Sequence, residues 1–459
     1  MAAKVRTALL FLVFGLVAAL LVRCRRGDGV HAATVNAAVR VLEEGFADTS
    51  PRLQEVSFGA LTTYHCHDGD ATKEPCLQLV SRAASHAGWR VRLMNLPNAF
   101  KPETPQLVRA EVVTRAARDD NESLPRAVSK LLADHATSAD RPLLLELIGS
   151  GDGVVREHAA AGLVRLGERR YADVLEQGLA SGDREEVLEA ARHVIDLETG
   201  AEPRAVALLK DMLLDRDEIV RANAIYGMSE LRDPPWDGDT IARSLNDLSP
   251  MVRLAMVTSL PMITVPAVPV ETSFDLLVRR WPQERAGEMR LEILKAADEM
   301  ARRPGLRAAL VTKFLDIAVE REENDQVKLV GMGILACRTH PEYTQDLIDV
   351  ARDARRNVTD RLLSLSSIGH CRDTKIVQAL NEIMEAQTGA DEDSRALRVA
   401  CAAAIVRALT ADPASPGAAR YTIQQASRKV RETEVTPCRL TQGSRSGCSW
   451  PCCRLHSRA

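Results

Sequence analysis

The sequence predicts an all-α chain: an α-solenoid of helical repeats preceded by one N-terminal hydrophobic helix. Three observations carry that expectation. The 459 residues are 46% hydrophobic but only 3% aromatic, a balance that suits helices packed through Ala, Leu and Val. Beyond residue 33, Gly, Pro or Asp recurs about every fifteen residues, which marks successive helix ends. The chain also aligns on itself with a period of about 31 to 38 residues, the length of a two-helix repeat. The same figures exclude other classes. A charged fraction of 27% beside that hydrophobic content is not a disordered chain, and 26 Gly are far too few for collagen. A net charge of -3 leaves no basic footprint for nucleic acid.

In chain order, residues 1–32 form a membrane anchor or signal segment. Thr7 to Val22 carry no charge, Lys4 and Arg6 precede them, and Arg23, Arg25 and Arg26 follow. Sixteen residues of helix span about 24 Å, short of the about 30 Å hydrocarbon core but longer than most signal-peptide cores. The expected localisation is therefore the membrane, through a single-pass N-terminal anchor. The alternative is export after cleavage near Ala32, where Val30-His31-Ala32 resembles a small-x-small site. Basic residues on both sides leave the orientation open.

Residues 33–140 read as divergent N-terminal helical repeats and residues 141–410 as a regular array. Seven segments align without gaps, opening at Asp152, Asp183, Asp217, Ser249, Asn324, Asn357 and Ser394; an eighth, around Arg290, fills the wide interval before Asn324. The first column is always Asp, Ser or Asn, whose side chains cap helix N-termini. Four residues on stands a cation in six segments: Arg156, Arg221, Arg253, Lys328, Arg361 and Arg398. It can pair along its own helix face or bridge to the next repeat. Seven after the cap the residues are nearly all small: Ala159, Ala190, Ala224, Met256, Gly331, Ser364 and Cys401. Eleven after it they are large and apolar: Leu163, Val194, Met228, Leu260, Leu335, Ile368 and Ile405. A small residue where a neighbouring helix crosses and a large one a turn further describe the inner helix of each pair.

The D-x-x-V-R-x-x-A-x-x-x-L runs resemble the HEAT repeat family, in its short bacterial, phycobilisome-lyase-type variety. The resemblance implies an armadillo-like stack of antiparallel helix pairs with an Asp/Arg ladder between repeats. It covers about Leu143 to Thr410 and continues more weakly upstream, where Asp48-Thr49-Ser50-Pro51 introduces a helix much as Asp247-Leu248-Ser249-Pro250 does. About ten repeats are expected, the terminal ones divergent because they must cap an open core.

Departures from the repeat are the candidate sites. His65, Cys66, His67 and Asp68 offer N, S and O ligands to a metal, although their spacing matches no structural zinc motif. Alternatively, Cys66 and Cys76 close a disulfide in an exported chain, or the loop is simply solvated. Leu260 to Pro269 carries three prolines and reads as a stiff connector or a partner-binding edge. Trp236 either covers a helix end or anchors a partner. Residues 411–459 form a tail, rich in Cys and Arg near its end and unlike the repeats in composition. The other histidines, His158 and His193 among them, read as single residues on helices.

No catalytic motif appears, so the chain is not expected to be an enzyme, and no cofactor is expected. The functional expectation is a membrane-tethered HEAT-repeat scaffold that binds another protein through its concave face, with the Arg column steering the partner wherever the ladder does not consume it. The alternative is a lyase-like or metal- and cofactor-handling subunit that uses the His65–Cys76 loop.

Overall fold

The computed structural model describes residues 29–66, 73–231, 234–263, 265, 268–368 and 374–410. Thr7–Val22, His67, Asp68 and the tail lie outside them. Within the described residues 22 α-helices follow one another as eleven pairs. They are α1 Gly29–Phe46 and α2 Pro51–His65; α3 Glu74–Ala84 and α4 Trp89–Ala99; α5 Gln106–Ala117 and α6 Ser123–His135; α7 Arg141–Leu147 and α8 Gly153–Arg165; α9 Ala172–Gly178 and α10 Arg184–Leu197; α11 Glu202–Met212 and α12 Glu218–Ser229. The remaining pairs are α13 Gly238–Leu245 and α14 Pro250–Ser259; α15 Val270–Arg280 and α16 Gly287–Met300; α17 Ala308–Arg321 and α18 Asp325–Ala336; α19 Tyr343–Arg352 and α20 Val358–Ile368; α21 Thr374–Ala386 and α22 Glu392–Thr410.

Even-numbered helices stack on one another along the array, and each also packs against its odd-numbered partner. Their burial shows why. Odd helices bury one stripe, as α11 does with Ala205, Leu209 and Met212. Even helices are enclosed almost all round, as α20 is from Asp360 to Ile368. The sequence columns account for this. Every residue of the large column, from Leu163 to Ile405, is fully buried. The small column sits where inner helices meet. At Gly333, two residues beyond that column, a Cβ would fall 2.3 Å from Ser367 Cβ, so α18 and α20 approach too closely there for any side chain.

Six of the seven expected caps hold: Asp152, Asp183, Asp217, Ser249, Asn324 and Asn357 each accept a backbone N–H in the first turn. The seventh is shifted. Asp391, not Ser394, caps α22, accepting the N–H of Ser394 at 2.9 Å. The proline-rich stretch forms a short 3₁₀ turn at Leu260–Met262 and an isolated bridge between Val265 and Val268. Trp236 is buried.

The array closes on itself. α22 packs against α1 and α2 as one repeat packs on the next. Val399 of α22 faces Gly45 of α1, Arg395 pairs with Asp48 at 3.2 Å, and Ser50 donates to Glu392 at 3.1 Å. The first repeat thus covers the end of the last.

The expected single-pass anchor is corrected. Among the described residues no helix is long and apolar enough to cross a membrane. The first described helix, α1, is amphipathic: it buries Val35, Ala38, Leu42 and Phe46 in the repeat core and carries Arg40, Glu43 and Glu44 outside it. Ala32 lies inside that helix rather than ahead of it.

Candidate functional site

The side chains expected to recognise a partner are the cation column, and the fold uses most of them internally. Arg221 reaches Asp247 at 2.8 Å, Arg253 reaches Glu284 at 2.7 Å and Arg290 reaches Glu322 at 3.0 Å. Each acid stands two residues before the next inner-helix cap. Asp247 and Glu322 also accept the N–H of that cap, Ser249 and Asn324. The same arginines donate to carbonyls of their own loop, as Arg221 does to Asp215 and Arg253 to Asp247. One guanidinium therefore ties two consecutive loops together. Arg156 likewise donates to Ser150 and Gly151, and Arg361 to Ala351. The rung continues across the closure. Asp48 accepts the N–H of Ser50 and receives Arg395, the residue four beyond the true cap Asp391.

A denser cluster lies on the inner helices α6, α8, α10 and α12. It was not legible from the single histidines, because its members are dispersed over a hundred residues. His158 stands between Ser129 Oγ, 2.9 Å from its Nδ1, and Glu189 Oε2, 3.1 Å from its Nε2. Arg192 donates to the same Glu189 oxygen at 2.8 Å through Nη2, which also lies 3.1 Å from His193 Nε2. The two imidazoles meet edge to face, 5.4 Å between centroids. Around them Lys130 pairs with Glu230 at 2.8 Å, across three repeats, and Arg192 Nη1 stands 3.9 Å from Asp134 and 3.7 Å from Glu230. The electrostatics follow from the geometry. Burial would raise the Glu189 carboxyl, but the Arg192 charge overrides it and holds the group well below the usual range. Burial and then the same guanidinium hold His193 well below an ordinary imidazole, so the ring is neutral.

Glu157, one residue from His158, behaves oppositely. It is buried with Oε2 unpartnered, and its other oxygen fills the space left by Gly178, where a Cβ would lie 2.1 Å away. Burial, reinforced by Glu186 and Glu189, pushes its carboxyl from 4.5 up to about 9. The folded chain thus keeps a proton that the unfolded chain releases. This contribution to stability is fully present below about pH 4.5 and is lost as pH rises towards about 9. The variant Glu157→Gln is expected to be more stable than the natural chain at pH 8.5, by up to about 5 kcal/mol. The gap should close near pH 4.5 in parallel denaturation curves, and a gap that does not change with pH would exclude a protonated Glu157.

The His65–Cys76 loop is placed in part. Cys66 and Cys76 are buried at the end of α2 and the start of α3, with sulfurs 2.06 Å apart. Sulfur joined in this way is not a thiolate ligand. His65 packs its ring against Tyr64 at 4.6 Å. His67 and Asp68 lie outside the described residues. No ligand cluster including His65 forms among the described residues; the one that does form is His158, Glu189 and His193.

Residues 110–196, from α5 through most of α10, match the family model for HEAT repeats. With the helix pairs and ladder above, the chain is an α-solenoid of helical repeats, and residues 110–196 of it are HEAT repeats. Solved structures similar to it include the karyopherin Kap121p bound to the SUMO protease Ulp1p, at 14% identity and a TM-score of 0.36, over 78% of this chain and 44% of that one. Kap95p in its complex with RanGDP is 12% identical with a TM-score of 0.37, over 89% of this chain and 65% of that one. Importin beta is 13% identical with a TM-score of 0.34, over 80% and 57%. The chain spans less than two thirds of the length of each. No curated protein matches it.

Proposed function

We propose that this HEAT-repeat solenoid is a protein-binding scaffold, and that it engages its partner along the rim of loops that lead into the inner helices. The carrying observation is a set of exposed apolar side chains around the starts of two adjacent inner helices. Leu214 and Ile219 flank the start of α12, and Leu248 and Met251 flank the start of α14. Leu248 is 97% exposed. Singly exposed apolar residues are ordinary, but a pair repeated on neighbouring loops makes a stripe. The inner-helix face is less available between α6 and α12, because Lys130, Arg192 and Glu230 bridge it. Around the stripe Asp211, Asp217 and Glu218 are exposed, beside Lys210, Arg216 and Arg243. That balance favours an amphipathic segment with apolar residues on one side and charges of both signs beside them.

A photoreactive residue at position 248 tests this reading. It should crosslink to a protein segment of that composition, identified by mass spectrometry. The adduct should fall at least about 10-fold when Leu214, Ile219 and Met251 are changed to Ser, the loss expected from deleting apolar anchors. Adducts formed from Asn223 on α12, with none from 248, would return the binding surface to the concave face.

A further inference from the structure

We propose that His158, Glu189 and His193 form a transition-metal site of two imidazoles and one carboxylate, in which Arg192 holds the place of the ion while the chain is metal-free. Glu189 and His193 stand four residues apart on one face of α10, and His158 comes from the neighbouring inner helix α8. One ligand atom from each lies within 4.8 Å of the other two. Metal–ligand bonds of about 2.0–2.2 Å place neighbouring ligand atoms about 3.3 Å apart in a tetrahedral shell. His158 Nε2 and Glu189 Oε2, at 3.1 Å, already stand at that spacing. The third ligand needs a shift of about 1.5 Å.

The hydrogen bonds around the cluster prepare His158 for this role. Ser129 has one hydroxyl proton and donates it to the Arg126 carbonyl at 2.9 Å. It therefore accepts from His158 Nδ1–H, which fixes the ring and directs Nε2 at the carboxylate, as outer partners of metal-bound histidines do. His193 is fully buried, with Nε2 turned towards the same carboxylate and guanidinium.

The guanidinium of Arg192 is the competitor. Through Nη2 it contacts Glu189 Oε2 and His193 Nε2 together, the two groups an ion would bridge. It has somewhere to go, because Asp134 and Glu230 already stand within 4 Å of its other terminal nitrogen. Mixed imidazole and carboxylate ligands suit Zn²⁺ and its neighbours in the first transition row. With His158 2% and His193 0% exposed, the ion is structural and pins α8 to α10.

The full-length chain, stripped with a chelator, is loaded with Zn²⁺ and desalted, and its metal content is measured by elemental mass spectrometry. Retention of about one ion per chain is expected, with affinity at least about 10-fold weaker in His158→Gln and His193→Gln. Arg192→Gln separates this reading from a purely structural cluster. With the competing charge gone, its Zn²⁺ affinity should rise, and Zn²⁺ should restore its lost melting temperature more than it raises that of the natural chain. Nitrogen hyperfine structure from two imidazoles on Cu²⁺ in the unaltered chain provides a readout that does not depend on any variant folding. Uptake below about a tenth of an ion per chain, uptake unchanged in both histidine variants, or Cu²⁺ without two nitrogen ligands would each overturn the site.

Discussion

Replacing Arg192 with Leu is expected to lower the stability of the middle repeats by about 3–5 kcal/mol, the cost of removing one partner from a buried ion pair. The side chain is 3% exposed and serves Glu189, His193, Asp134 and Glu230 at once. Its loss takes away the guanidinium that pairs with the Glu189 carboxylate in the interior. The damage should be local, since each repeat rests only on its neighbours. Native-state hydrogen exchange should show faster opening of α8, α10 and α12, while α16 and α18 keep their rates. Changing Glu189 to Met in the same chain should recover much of the loss, because an apolar pair of similar volume avoids stranding a charge. If Arg192→Leu alone leaves exchange in α10 unchanged, the cluster contributes nothing to holding the inner helices together.

The residues that define each repeat were legible because they act locally. A cap, a small residue and a large residue within one helix follow from helix geometry alone, and the large column is buried throughout. Where the local signal is degenerate, the reading slipped. Asp391, Asp393 and Ser394 can all cap a helix, and only Asp391 does so. The ladder was expected from family resemblance, but its geometry was not. The acids that receive Arg221, Arg253 and Arg290 sit ahead of the caps, as Asp247 sits ahead of Ser249, rather than at them. The inner cluster is not visible along the chain, because its histidines come together only down the columns of the stacked repeats. His158 and Glu189 both stand six residues after their caps, so stacking the repeats places them side by side. The N-terminal anchor rests on one uncharged run with basic flanks, and no described helix is long and apolar enough to cross a membrane. Closure of the array had one trace in the sequence. The run from Val399 to Val406 is apolar all round, and such a helix belongs in an interior, not at an exposed end.

That trace leads to the second large expected effect. Val399 is buried in α22 against α1, so Val399→Asp places an uncompensated charge inside the closure, at a cost of about 4 kcal/mol or more. In an open solenoid the loss would stay in the last repeats, because nothing carries it to the other end of the chain. In the closed array α1 and α2 are the next repeat along. Their contacts to α22 include the Arg395–Asp48 and Arg398–Glu44 pairs, which join residues about 350 positions apart in sequence. Hydrogen exchange should therefore quicken together in α22, α1 and α2, and small-angle scattering should show a larger radius of gyration. Central helices such as α12, half the array away, should keep their protection. Faster exchange in α22 with α1 unaffected would mean that the ends do not support each other. A rise in both, by similar factors, would mean that closure gives the first repeat the core contacts that a terminal repeat otherwise lacks.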